Sequence, residues 1–216
     1  MTQELEINEI FKSIQGESSL TGLPTTFVRL ARCNLRCSWC DTCYSFKRGD
    51  MTLISSIIEE VEKNGAPYVC ITGGEPLLQK NVHPLMEALC DLSYKVSIET
   101  GGSLDITEID PRVKIVLDVK CPGSGMSSRN HLENLELLKS DDEVKFVIAD
   151  REDYLFSVDI CEKFGLFKKV NNVLFSCVYD SLEPEELVNW ILEDNLKVRL
   201  NLQVHKYIWH PETIGV

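Results

Sequence analysis

The sequence predicts an α/β protein built as an incomplete (β/α) barrel of about six units. Three observations lead there. Apolar runs of strand length alternate with segments of helical period along most of the chain. The unusual polar groups mostly follow one of those runs, and in parallel α/β architectures the C-terminal strand ends share one face. The chain has 216 residues, short of the roughly 250 that a full eight-unit barrel takes. A doubly wound open sheet is the alternative arrangement of the same elements.

In chain order, "LEINEIF" (5–11) alternates and predicts an additional N-terminal strand. "FVRLA" (27–31) reads as a buried strand. Residues 51–63 read as a helix, with Gly65 just past its end. "YVCIT" (68–72) predicts a strand and 81–92 a helix. "KVSIE" (95–99) and "VKIVLDV" (113–119) predict strands, followed by a helix near 130–139. A strand at 144–148, a helix at 151–164 and a strand at 172–176 come next. Pro184 suits the first turn of a helix over 184–194, and 197–203 closes the series as a strand. Alternation of this kind implies parallel strands with right-handed crossovers. There is no repeat, low-complexity tract or linker, so residues 1–216 read as one domain.

Composition excludes several function classes. A net charge of −12 gives no general attraction for phosphate backbones or anionic membranes, so neither nucleic acid nor membrane is an expected partner. No stretch of 18 apolar residues is present. The start, "MTQELEINEI", lacks the basic and apolar regions of a secretion signal, which predicts a cytoplasmic protein with reduced thiols. Nine cysteines in that setting point to metal or catalysis before disulfides.

Four of the nine fall in "CNLRCSWCDTC" (33–43): Cys33, Cys37 and Cys40 at C-x3-C-x2-C, then Cys43. Three thiolates on a loop can hold three irons of a [4Fe–4S] cube. A zinc knuckle using all four is the competing arrangement, although zinc usually takes two cysteines from each of two separated loops.

C-x3-C-x2-C after one strand with "ITGGEP" (71–76) after the next resembles the radical S-adenosylmethionine (SAM) superfamily. The segment "EIFKSIQGESSLTGLPTTFVRLARCNLRCSWCDT" (9–42), with "TGGEP", "IET", a lysine-bearing strand end and a late "QVHKY", is similar over nearly the whole chain to the 7-carboxy-7-deazaguanine synthase family. The resemblance implies a compacted radical SAM core and conversion of 6-carboxy-5,6,7,8-tetrahydropterin to 7-carboxy-7-deazaguanine with loss of ammonia, in queuosine and deazapurine biosynthesis. It implies a [4Fe–4S] cluster, SAM and Mg2+ as cofactors, an electron donor such as flavodoxin, and a homodimer.

The resemblance also assigns residues. Cys33, Cys37 and Cys40 would bind the cluster and Thr42 the Mg2+. Ile14, Gln15, Gly16, Glu17, Arg29 and Thr100 would contact the pterin. Trp39, Gly73, Gly74, Glu75, Gly102, Asp118, Val119, Lys120, Ser176, Cys177 and Val178 would surround SAM. His205 either joins the site with Gln203 and Lys206 or is a packed histidine. The side chains of Asp118 and Val119 depart from the family's usual Ser-Pro. Ser18 stands where glycine is usual, which predicts a different backbone in that loop. Cys43 lies outside the triad. Two rivals stand against this reading: another radical SAM enzyme, such as a glycyl-radical activase, and a non-catalytic zinc or iron–sulfur module.

Overall fold

The computed structural model describes residues 3–211 and 213–216. Nine strands among them form one sheet: β1 (Glu4–Ile14), β2 (Pro24–Leu30), β3 (Asp50–Leu53), β4 (Tyr68–Gly73), β5 (Lys95–Thr100), β6 (Lys114–Val119), β7 (Glu143–Ile148), β8 (Asn172–Cys177) and β9 (Arg199–Leu200). Their order is β3-β1-β2-β4-β5-β6-β7-β8-β9. From β2, and then from β4 to β9, each strand adds in parallel to the same growing edge, while β3 lies antiparallel to β1 at the other edge. A doubly wound sheet reverses its strand order partway; this one never does, so every right-handed crossover lies on one face. That is barrel winding, and the sheet stays open between β3 and β9.

Helices α1 (Ile54–Asn64), α2 (Val82–Asp91), α4 (Arg151–Lys163), α5 (Leu166–Lys169) and α6 (Pro184–Glu193) fill the crossovers, with single turns α3 (Asn134–Leu137) and α7 (His205–Ile208). The apolar stripe of α1 buries Ile57 and Val61, and that of α2 buries Val82, Leu85, Met86 and Leu89. Pro184 opens α6, and Asp150 caps α4 by accepting from the Asp153 N–H at 3.0 Å.

The expected strands are all present, with three differences. The stretch opening the expected 51–63 helix is strand β3, antiparallel to β1, and the helix starts at Ile54. The helix expected near 130–139 is only the turn Asn134–Leu137. There, Asn130 bonds both the N–H and the carbonyl of Lys120 at 2.9 Å, and Asp142 takes the N–H groups of Ile115 and Lys139 at 2.8 Å. Side-chain bonds of this kind compete with helical ones. The closing strand shrinks to two residues because the chain leaves the sheet at Asn201. The Asn201 side chain donates to Ser176 Oγ and accepts from the Ser18 N–H, both at 2.8 Å.

Period-two alternation assigns the faces. Val28, Leu30, Val69, Ile71, Val96, Ile98, Ile115, Leu117, Val144, Phe146, Val173 and Phe175 all pack into the core with the helices. Their neighbours point the other way, and there Arg29, Thr72, Glu99, Asp118 and Lys145 line one large cavity. In β1 the alternation slips. Leu5 and Ile7 face the core, a bulge falls between Ile7 and Glu9, and after it Ile10 faces the core instead. The bulge turns Glu9 and Phe11 onto the cavity face, beside their partners Arg29 and Phe27.

Candidate active site

The cavity holds about 1160 Å³, more than the roughly 300–1,000 Å³ of a typical single-ligand site. It has room for two ligands. Its wall begins with the cysteine loop after β2. Arg32, at φ +73°, turns the chain out of the strand, and its guanidinium is fixed by two bonds to the Glu6 carboxylate. Gly74 seats this loop. A Cβ there would lie 2.2 Å from the Arg32 carbonyl oxygen and 2.8 Å from Cys33 Cβ. Gly73 is pressed in the same way against Leu30. The atoms that make these glycines necessary belong to β2 and the loop itself, because two main chains approach without room for a side chain.

Cys33, Cys37 and Cys40 are half-buried and Cys43 is exposed. Burial pushes the first three thiols up, Cys40 to about 11. A bound metal must therefore displace their protons. Against burial, the Leu35 N–H donates to Cys33 Sγ at 3.4 Å, and the Lys120 ammonium favours the thiolates of Cys33 and Cys37. Three soft sulfur donors with N–H and ammonium groups turned toward them fit an iron–sulfur cluster.

The remaining walls are polar and bonded to one another. Lys145 reaches Glu17 at 2.8 Å and Asp118 at 3.4 Å, and Lys120 reaches the same Asp118 oxygen at 3.1 Å. Burial alone would raise the Glu17 carboxyl, but Lys145 and the Gln203 amide outweigh it and hold it at about 2. Gln203 donates to Glu17 at 2.8 Å, and Lys206 pairs with Asp41 at 2.8 Å, so the chain after β9 closes one side. Arg29 bonds Glu9 through Nε at 2.6 Å, and Tyr44 shares that carboxylate at 2.8 Å. The terminal nitrogens of Arg29 have no hydrogen-bond partner among the described residues.

The structure brings most of the expected residues together. Ile14, Gln15, Gly16, Glu17, Arg29, Thr100 and His205 line the cavity, as do Trp39, Gly73, Gly74, Asp118, Lys120, Val178, the three cysteines and Thr42. Others sit behind the wall. Glu75 is fully buried and accepts from Thr100 Oγ1 at 2.8 Å, the Gly101 N–H at 2.8 Å and the Leu77 N–H at 3.1 Å. It braces the turn after β5. The Val119 and Cys177 side chains pack in the core. Ser176 is buried on Asn201, and Gly102, at φ +66°, turns its carbonyl to the His131 N–H.

Ser18 adopts a left-handed conformation at φ +66°, a geometry that costs a non-glycine residue about 1–2 kcal/mol. Its N–H bond to Asn201 at 2.8 Å and its hydroxyl, accepting from the Leu20 N–H at 3.1 Å, offset that cost. Sequence reasoning missed Lys145, Glu99 and Glu9. The signal for the first two is a charged residue in the middle or near the end of an otherwise apolar strand. No sequence signal marks Glu9, which a bulge delivers.

Comparison with known proteins finds relatives of the whole chain and of its fold. Residues 28–121 match the family model of the radical SAM superfamily. The 7-carboxy-7-deazaguanine synthase of Koribacter versatilis is 47% identical over 98% of this chain and 100% of the relative. Proteins of the same name from Chlorobaculum tepidum and Methanospirillum hungatei are 44% and 39% identical, over 98% and 96% of this chain and 97% and 86% of theirs. Among solved structures, QueE from Escherichia coli superposes with a TM-score of 0.72 at 22% identity, covering 92% of this chain and 93% of that one. Streptococcus suis SuiB bound to the precursor peptide SuiA shares the fold at a TM-score of 0.57 and 16% identity, over 79% of this chain and 46% of that one.

Proposed function

The chain belongs to the 7-carboxy-7-deazaguanine synthase family of radical SAM enzymes, and from that premise we propose how its residues divide the work. The reaction is conversion of 6-carboxy-5,6,7,8-tetrahydropterin to 7-carboxy-7-deazaguanine with loss of ammonia. Membership removes the zinc module and the activase as competing readings, since the matched relatives share one name along nearly the whole chain.

Cys33, Cys37 and Cys40 would hold the [4Fe–4S] cluster. Gly73, Gly74, Trp39, Lys120 and Val178 would border SAM. Glu75, Gly102, Val119, Ser176 and Cys177 would support that border from behind or through main-chain atoms. When bound, the cluster and SAM supply a carbon radical able to take hydrogen from an unactivated C–H bond.

The chain's own residues bind and orient the pterin. Arg29, tethered by Glu9, set over the Phe11 and Tyr44 rings and with no hydrogen bond to its terminal nitrogens among the described residues, can fork onto the substrate carboxylate. The Gln15 side chain accepts from the Glu17 N–H at 3.2 Å and donates to Glu99 at 3.2 Å. It thereby stiffens the Ile14–Glu17 turn against which the ring would lie. Thr100, locked on Glu75, would support the same ring from β5. His205, whose pKa is lowered by burial, is neutral at pH 7 and can exchange protons near the substrate. Gln203, His205 and Lys206 wall one side of the cavity, where they would help to shield a reactive radical from water.

Mg2+ completes the proposed set of cofactors, with Thr42 as its protein ligand. Thr42 Oγ1 donates to Asp41 at 2.8 Å, which leaves its lone pairs for a hard cation. A flavodoxin-like electron donor, a homodimer and a cytoplasmic setting belong to the same proposal. No helix of the described residues is long and apolar enough to cross a membrane.

The observation that carries this reading is that the cysteine loop and the polar stripe of the sheet open onto one cavity. The test is anaerobic turnover with reduced cluster and added Mg2+, using substrate deuterated at the carboxylate-bearing ring carbon. The expected result is 7-carboxy-7-deazaguanine with label passing to 5′-deoxyadenosine. No product from enzyme with a verified cluster would refute the substrate; product without any label transfer would refute the hydrogen abstraction.

A further inference from the structure

Glu99 stands apart among the carboxylates of the cavity. Glu17 has Lys145 on one oxygen and Gln203 on the other. Asp118 shares one oxygen between Lys120 and Lys145, and Asp41 holds Lys206. Asp180 is exposed at the rim. Glu99 lies on β5 in the interior of the sheet, and among the described residues no lysine or arginine forms an ion pair with it. Its oxygens accept from two neutral groups, the Gln15 amide and the Thr72 hydroxyl, each at 3.2 Å. Burial holds its carboxyl above the usual range despite Lys145 and Arg29 nearby.

A half-buried carboxylate facing the cavity is suited to further N–H donors, because a partly desolvated charge gains from each one. Each of its oxygens has a further lone pair to offer. Two parallel N–H donors at carboxylate spacing are what the amidine edge of a 2-amino-4-oxo pyrimidine ring presents: the ring N–H and the exocyclic amino group. The second half of the pattern lies two strands away on β2, where the terminal nitrogens of Arg29 face the same cavity. Two strand spacings put these groups about 10 Å apart at the backbone. A fused bicycle with an amidine edge at one end and a carboxylate at the other has the length to reach both.

We propose that Glu99 selects the heterocycle by receiving its ring N–H and exocyclic amino group, while Arg29 takes the carboxylate at the far end. The inference rests on the function proposed above and names the group that reads the ring. It also explains why Gln15 and Thr72 are spent on Glu99: they fix the carboxylate plane that a two-point contact requires.

The test compares two non-reacting ligands by anaerobic calorimetry on the cluster-reconstituted protein. 6-Carboxypterin has the amino group; 6-carboxylumazine has a carbonyl oxygen in its place. The unchanged protein should bind 6-carboxypterin at least about tenfold tighter, since a carboxylate opposes the carbonyl. Glu99→Gln should reduce that ratio to about one or reverse it, because an amide can donate to the carbonyl while still accepting from the ring N–H. Equal affinity of the unchanged protein for both ligands would overturn the proposal without needing any variant. So would a Glu99→Gln protein that weakens both ligands equally. Product formation from the tetrahydropterin, measured in parallel, separates the two readings: turnover without discrimination refutes the role of Glu99 alone, whereas neither turnover nor 6-carboxypterin binding refutes both.

Discussion

The His205 ring occupies the space that a side chain at Gly16 would need. A Cβ at Gly16 would lie 2.1 Å from His205 Nδ1, and the Gly16 carbonyl accepts from the Val204 N–H at 3.0 Å. The turn after β1 and the single-turn helix α7 are therefore locked together, although 189 positions separate the two residues along the chain (205 − 16). The contact places the histidine against the turn proposed to carry the pterin.

Gly16→Ala should displace His205 and cost about 1–3 kcal/mol, the usual range for overpacking. Thermal melts should show the loss, and KM for the pterin should rise. Adding His205→Ala to Gly16→Ala should recover most of the stability, because the two changes share one contact. Additive losses in that cycle would show that the contact is not the cause.

Cys33→Ala, Cys37→Ala or Cys40→Ala should each abolish the intact cluster, whereas Cys43→Ala should retain it. The first three half-buried thiols sit within one charged surround and Cys43 is exposed. Iron content and the Mössbauer spectrum after reconstitution check this. A full cube in Cys37→Ala, or its loss in Cys43→Ala, counts against the assignment.

Lys145→Met should destabilise the protein by about 3–5 kcal/mol, since it leaves Glu17 and Asp118 without a shared cation. The effect should depend on pH. Glu17 is held at about 2 in the fold against an ordinary 4.5. Its stabilising contribution is thus full above about pH 4.5 and is lost as pH falls toward 2. The gap in melting temperature between the unchanged and Lys145→Met proteins should narrow through that window.

Thr42→Ala should keep the cluster and its capacity to cleave SAM but weaken Mg2+-dependent turnover. Mg2+ takes few protein ligands and hard oxygens, and Thr42 lines the cavity beside the cysteine triad. Turnover measured against Mg2+ concentration checks this. An unchanged requirement would remove Thr42 as the ligand.

The sequence by itself determined the strand count of the parallel sheet, the strand-end location of the site and the cysteine triad. These are local properties. Apolar runs such as 68–72 and 144–148 specify strands wherever they fall, and C-x3-C-x2-C sets donor spacing within one loop. Single winding was legible only as a preference, because the order of parallel strands depends on which edge each crossover joins.

Only the tertiary structure decided the charge arrangement of the site. Lys145 looks like an interruption in an apolar strand until β6 and the Glu17 turn bring two carboxylates to it. Glu9 lies beside Arg29 on the cavity side of the sheet because a bulge shifts the alternation of β1 by one residue. Asn201 ends β9 early because its side chain bonds Ser18 and Ser176, residues far from it in sequence. The physical reason is common to all three. A buried polar group is positioned by partners that satisfy it, and those partners come from other strands, whose register and order are settled only when the whole sheet has formed.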